Sequence, residues 1–198
     1  MRLVSFDPGA AATGYAVLEA PATLLTAGTW IPRASLTWHE RYLWVMSRVQ
    51  DVLEEYQPAW LAVEEFVTTW KKLPLRGDAQ TETPQPRSMR ERFPMHRVFL
   101  ERLLGGMHAQ CLVPPYPVLV PVVPDAVPLA LLGQASHVKG EIARAVNARL
   151  GTQYRGDHFD EHIADAVAVG LVVLEQQALW RTVTRVTGQT RPLSVRSA

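Results

Sequence analysis

The sequence predicts an α/β fold built on five strands, the first three antiparallel, and three observations carry that expectation. The first twenty residues read as strand, turn and strand: an apolar run at 3–6 meets Asp7-Pro8-Gly9, and a second β-rich run at 14–18 returns as a hairpin partner. A capped helix with apolar residues at a 3.6 period follows, from Thr37 to near Tyr56. Then Trp60-Leu61-Ala62-Val63-Glu64-Glu65 is a short continuous apolar run, the pattern of a strand buried on both faces, and like the first strand it ends in acid.

Within the hairpin, period-2 alternation puts Leu3, Ser5 and Asp7 on one face and Arg2, Val4 and Phe6 on the other. A carboxylate at the end of a strand suited to burial is costly unless something neutralises it. Two readings of Asp7 are open at this point. One is an Asx-turn residue bonding its own backbone before Pro8-Gly9. The other is a metal ligand or phosphate-site acid, with Gly9 and Gly14 letting a charged ligand approach the backbone.

The remaining elements follow in order. Residues 23–31 read as a third strand closed by Pro32. Thr37-Trp38-His39-Glu40 is a capping box, and Tyr42, Leu43, Met46, Val49, Val52 and Leu53 keep the helical period up to Tyr56, just before Pro58. Residues 68–94 are polar, carry Pro74, Pro84, Pro86 and Pro94 and lack periodicity, which predicts a mobile arm. A second helix is expected over about 95–111, with Gly105-Gly106 weakening its centre and apolar residues on more than one face, as for partner contact. A fifth strand is expected over 118–123. Asp125 then stands to cap a short helix ending at Leu132, and Ser136 to cap another over 137–150, stopped by Gly151. The last helix opens in Asp157-His158-Phe159-Asp160-Glu161-His162 and runs towards Leu179, so apolar that it must be packed on most sides.

Composition bounds the function classes. At 198 residues one domain is expected, over 1–180, with a basic flexible tail at 181–198. No apolar run is read as reaching the eighteen or so residues of a membrane span, and the first strand is too short and too soon broken for a signal peptide, so a cytoplasmic protein without membrane contact is expected. One cysteine, Cys111, excludes an intramolecular disulfide and a cysteine-based zinc cluster; a buried inert thiol is its expected role. Net charge is only +1, yet cations concentrate at residues 71–97 and again after Glu175, two basic footprints of the kind nucleic-acid binders carry.

Four side chains stand at element ends whose other residues are core: Asp7, Glu64, His162 and Asp165. His162 and Asp165 are three apart and share a helix face. Macrodipole preference explains Asp157, Asp160 and Glu161 at a helix start, but not an acid at Asp165 directly before Ala166-Val167-Ala168-Val169. Hard oxygen donors converging from several elements are what divalent-metal phosphoryl chemistry needs, whereas clustered carboxylates without a cation repel one another.

Here the sequence resembles a known family. Val4-Ser5-Phe6-Asp7-Pro8-Gly9 with Thr13-Gly14-Tyr15, then Ala62-Val63-Glu64, then His162-Ile163-Ala164-Asp165-Ala166 look like the three acidic motifs of RuvC-type Holliday junction resolvases, in the right element order. The resemblance implies an RNase H-like fold, a five-stranded mixed sheet with helices on both faces. It further implies a homodimer and a Mg²⁺-dependent endonuclease, Mn²⁺ substituting, that resolves four-way DNA junctions by paired nicks in opposed strands. By motif position Asp7, Glu64 and Asp165 correspond to catalytic, metal-binding carboxylates, and His162 falls on a fourth position where the family carries aspartate or histidine.

The resemblance also marks DNA-contacting positions. Lys139 matches a family lysine ahead of the last helix; a second family lysine falls near Val127-Pro128 and is absent here. Phe66 and Trp70 are the local counterparts of an aromatic that probes the junction centre, and Lys71, Lys72 and Arg76 follow in an arm longer than the bacterial pattern. No branch-migration partner is assigned by these residues. Two-lobed ATPases of the actin and sugar-kinase type share the Asp-x-Gly opening, but 198 residues leave no second lobe. An RNase H-like nuclease acting on other branched DNA or RNA, and a non-catalytic junction-binding protein, are the alternatives.

Overall fold

The computed structural model describes residues 1–65, 87–112, 117–134, 140–151 and 161–187, the helical side chains at 87–97, 180, 183, 186 and 187 excepted. Its strands are β1 (Arg2–Asp7), β2 (Thr13–Glu19), β3 (Thr23–Trp30), β4 (Trp60–Glu64) and β5 (Val118–Val122); its helices are α1 (Trp38–Tyr56), α2 (Arg87–Gln110), α3 (Ala126–Leu132), α4 (Glu141–Leu150) and α5 (Glu161–Thr187). The sheet order is β3-β2-β1-β4-β5. β1 pairs antiparallel with β2, and β2 with β3, while β1–β4 and β4–β5 are parallel, so the sheet is mixed as expected.

Alternation along β1 divides the core into two layers. Val4 and Phe6 pack with Val45, Val49, Val52 and Leu53 of α1 and with Phe99, Leu103 and Met107 of α2. Leu3 points the other way, into a layer built from α5 with Val127 and Leu131 of α3 and Ile142 and Val146 of α4. Helices therefore cover both faces. Residues 166–174 of α5 are all buried, which explains their unbroken apolar pattern. By length and composition the stretch Glu161–Leu179 could cross a membrane, contrary to the sequence expectation that no such run exists. Its place under the sheet accounts for that composition.

Local chemistry fixes the element ends. The Thr37 amide donates to Glu40 at 2.8 Å and the Glu40 amide to the Thr37 hydroxyl at 3.3 Å, closing the capping box. α1 ends at Gln57 in the left-handed region, φ 44°, its amide donating to the Leu53 carbonyl. Gly106 does not break α2: a Cβ there would lie 2.8 Å from the Tyr42 hydroxyl and 2.9 Å from the Met46 sulfur, so the glycine lets α2 press against α1. Cys111 is half-buried and its thiol is pushed up to about 11 by that burial, the inert state expected of it.

Several expectations are corrected. α2 begins at Arg87, not near Met95, so residues 87–94 of the expected arm are helical and Pro94 lies inside a helix; Met89 and Phe93 are the only large apolar residues of that stretch, too few beside Pro94 to read as a period. Likewise α5 continues to Thr187, placing the first part of the expected tail, Arg181 and Arg185 included, in a helix. Asp125 occupies the N-cap of α3 without a side-chain bond, and α4 starts at Glu141 behind Gly140, φ 84°. Residues 135–139, 66–86 and 188–198 lie outside the described residues.

Candidate active site at the carboxyl ends of β1 and β4

Parallel pairing of Phe6 with Val63 brings the last residues of β1 and β4, Asp7 and Glu64, side by side at one end of the sheet. α5 supplies the remainder. Its first turns lie over β1 and β2 because two glycines leave no side chain in the way. A Cβ on Gly14 would overlap the His162 carbonyl oxygen, and one on Gly170 would overlap the Leu18 side chain and sit 2.7 Å from the Ser5 hydroxyl. Gly14 therefore leaves room for the backbone of α5.

These approaches join groups far apart in sequence. His162 Nδ1 lies 2.9 Å from Asp7 Oδ2, with the Asp7 side chain 17% and the His162 side chain 42% exposed. Glu64 is raised from an ordinary 4.5 to about 7, first by burial, then by the negative charge of Asp7 and of Asp165, and last by a hydrogen bond shared with Asp7. Asp165 is thus close enough to act on Glu64 through its charge. At this end of the sheet Asp7 thus touches both His162 and Glu64, and Asp165 is near enough for its charge to act on Glu64.

On the opposite face of the sheet, in the layer under α1 and α2, aromatic rings pack together. Trp30, at the end of β3, stacks on Tyr15 with centroids 4.6 Å apart and tilts against Phe6 at 5.7 Å. Gly28, paired with Tyr15 across the ladder, makes room for that ring, since a Cβ would lie 2.7 Å from it. Gly9 is needed in the β1–β2 turn, where a Cβ would overlap the Ala12 carbonyl. Ser5 was legible only as a polar residue on the Asp7 face. Its hydroxyl, fully buried, donates to the Ala166 carbonyl of α5 at 2.6 Å.

Among the described residues no three His, Cys, Asp or Glu side chains are drawn up as a ready cation cage. They meet in pairs instead, Asp7 with His162 and Asp7 with Glu64. By donor chemistry the set nonetheless suits a hard divalent cation: Asp7, Glu64 and Asp165 offer carboxylate oxygens and His162 an imidazole, and the charges of Asp7 and Asp165 both act on Glu64. Phe66, Trp70, Lys71, Lys72, Arg76 and Lys139 lie outside the described residues.

Residues 3–72, which hold the hairpin, Asp7 and Glu64, match the family model for crossover junction endodeoxyribonuclease RuvC. RuvC from Thermus thermophilus superposes with a TM-score of 0.64 at 21% identity, covering 90% of this chain and 96% of that one. The chain resembles the RuvC-type resolvases and has their fold. The same Thermus thermophilus protein in complex with a Holliday junction substrate gives a TM-score of 0.63 at 22% identity, again over 90% and 96% of the two chains. The yeast mitochondrial Holliday junction resolvase matches with a TM-score of 0.56 at 12% identity, over 93% of this chain and 82% of that one. At such identities the likeness establishes the fold alone. No curated protein matches the chain significantly.

Proposed function

We propose that the chain is a divalent-metal-dependent endonuclease that resolves four-way DNA junctions by nicking two opposed strands. The observation that carries this reading is the meeting of Asp7, Glu64, His162 and Asp165 at one end of the sheet, in the fold of RuvC. The family match over the first two acidic motifs supports it, as does the structure of the Thermus thermophilus relative with a Holliday junction.

Asp7, Glu64 and Asp165 would hold the cation, with His162 beside them; Mg²⁺ is the expected ion and Mn²⁺ a substitute. Bound there, it would activate the attacking water and neutralise charge at the leaving oxygen. In the metal-free protein Glu64 keeps a proton near neutrality and shares it with Asp7, so two adjacent acids avoid full repulsion. The Asp7–His162 bond orients the imidazole at the mouth of the cluster. Lys139 and the arm residues Phe66, Trp70, Lys71, Lys72 and Arg76 are assigned to DNA by sequence position.

A homodimer accompanies this reading, because one active site per subunit lets a two-fold assembly address the two opposed strands of a two-fold substrate. α2 is its proposed interface. The protein would act in the cytoplasm, in keeping with its single thiol. Comparing cleavage of a mobile four-way junction with duplex, flap and RNA:DNA hybrid tests the substrate assignment. Preferential cutting of the junction supports it; equal cutting of flap or hybrid would transfer the activity to the broader RNase H-like class.

A further inference from the structure

The Ser5 hydroxyl is tied to both the strand and the helix that carry the acids without itself joining the cluster. It lies two residues before Asp7 on the same face of β1, about 7 Å along the strand at 3.3–3.4 Å per residue. Its acceptor, the carbonyl of Ala166, belongs to the residue that directly follows Asp165. Ser5 is 0% exposed, and its Oγ stands 2.6 Å from that carbonyl and 3.5 Å from the carbonyl of Ala16 on β2. One side chain thus links β1, β2 and α5 immediately beneath the acids.

The opposite surface is shaped to receive it. Gly170, one turn along α5 from Ala166, carries no side chain at the point where a Cβ would stand 2.7 Å from Ser5 Oγ. Any larger residue there would push α5 outward or force the hydroxyl off its acceptor. Helix carbonyls already accept from the amide four residues on, so the bond from Ser5 is additional to the helical ladder.

We propose that Ser5 is a positioning residue: its bond to the Ala166 carbonyl, allowed by Gly170, sets the distance of Asp165 and His162 on α5 from Asp7 on β1, and so sets divalent-cation affinity. This rests on the metal-site reading above. Groups that orient metal ligands from behind typically change affinity 10–100-fold when removed, and the lower end of that range suits a residue acting through backbone.

The test is Mn²⁺ binding to the DNA-free protein, followed by electron paramagnetic resonance, for wild type, Ser5→Ala, Gly170→Ala and Val173→Ala. Val173 is a buried α5 residue seven positions beyond Ala166, and its truncation serves as a control for reduced stability. Ser5→Ala removes one atom from a filled site and should fold. The expected result is roughly 10-fold weaker Mn²⁺ binding by Ser5→Ala, a loss at least as large for Gly170→Ala, and wild-type affinity for Val173→Ala. Equal affinity of Ser5→Ala and wild type would overturn the proposal, as would an equal loss in Val173→Ala. Absence of Mn²⁺ binding by wild type would instead overturn the metal site itself.

Discussion

His162 Nδ1 lies 2.9 Å from Asp7 Oδ2, a contact between residues 155 positions apart that joins the last helix to the first strand. It makes His162 more than a solvated residue at a helix start. His162→Ala should lose most nicking activity, because the imidazole both contacts Asp7 and adds a donor to the cluster. His162→Asp should keep activity with a changed Mg²⁺-to-Mn²⁺ preference. Initial rates on a labelled junction in each metal decide it; a fully active His162→Ala would reduce the histidine to a structural partner of Asp7.

Gly14 predicts a stability effect at the same junction of β2 with α5. Its substitution by alanine sets a methyl group against the His162 backbone carbonyl, so no flexible side chain can give way. Gly14→Ala should cost about 1–3 kcal/mol of unfolding free energy, the range for overpacking, and activity should fall with it. Urea denaturation measures the first quantity. A neutral effect would mean that α5 does not dock at this depth.

Glu64 makes stability depend on pH. In the metal-free protein its folded-state value of about 7 lies above the ordinary 4.5, so between those values the folded chain holds a proton that the unfolded chain has released. Stability therefore falls as pH rises from about 4.5 to about 7 and levels off beyond, by up to about 3 kcal/mol at 1.36 kcal/mol per unit. Glu64→Gln should abolish that slope and be the more stable protein at pH 8 in chelator, while adding Mg²⁺ should stabilise wild type more than the variant. Parallel pH profiles for the two proteins would contradict the charge cluster.

How much of this was legible in the sequence differs by element. β1 alternation foretold Leu3 on one core layer and Val4 and Phe6 on the other, and the Thr37–Glu40 pair foretold the start of α1, because both are local rules. The three acids and the histidine were legible as misfits, polar groups ending apolar elements. By contrast, the early start of α2 at Arg87 and the extension of α5 to Thr187 had no apolar period to announce them. The role of Gly14 and the reach of Ser5 to Ala166 depend on how closely a helix lies over a sheet, which no spacing within one strand encodes.

The arm gives a prediction from sequence position. Trp70-Lys71-Lys72 offers a ring to stack on an unpaired base beside two cations for its backbone. Trp70→Ala should impair junction cleavage without changing thermal stability. Lys71→Ala with Lys72→Ala should weaken binding and flatten its salt dependence, by about one unit of slope for each phosphate no longer neutralised. Wild-type binding, slope and rate in all three would move recognition to the basic end of α5.

The central claim is that the acids at the ends of β1, β4 and α5 perform strand scission. Its most direct test is cleavage of a four-way junction, each strand end-labelled in turn, by wild type and Asp7→Asn in Mg²⁺, with junction affinity measured separately without metal. Wild type should nick two opposed strands at symmetric positions. Asp7→Asn should lose nearly all nicking while binding within a few-fold of wild type, because affinity for the junction comes mainly from Lys and Arg contacts to phosphate. Near-normal nicking by Asp7→Asn would contradict the account.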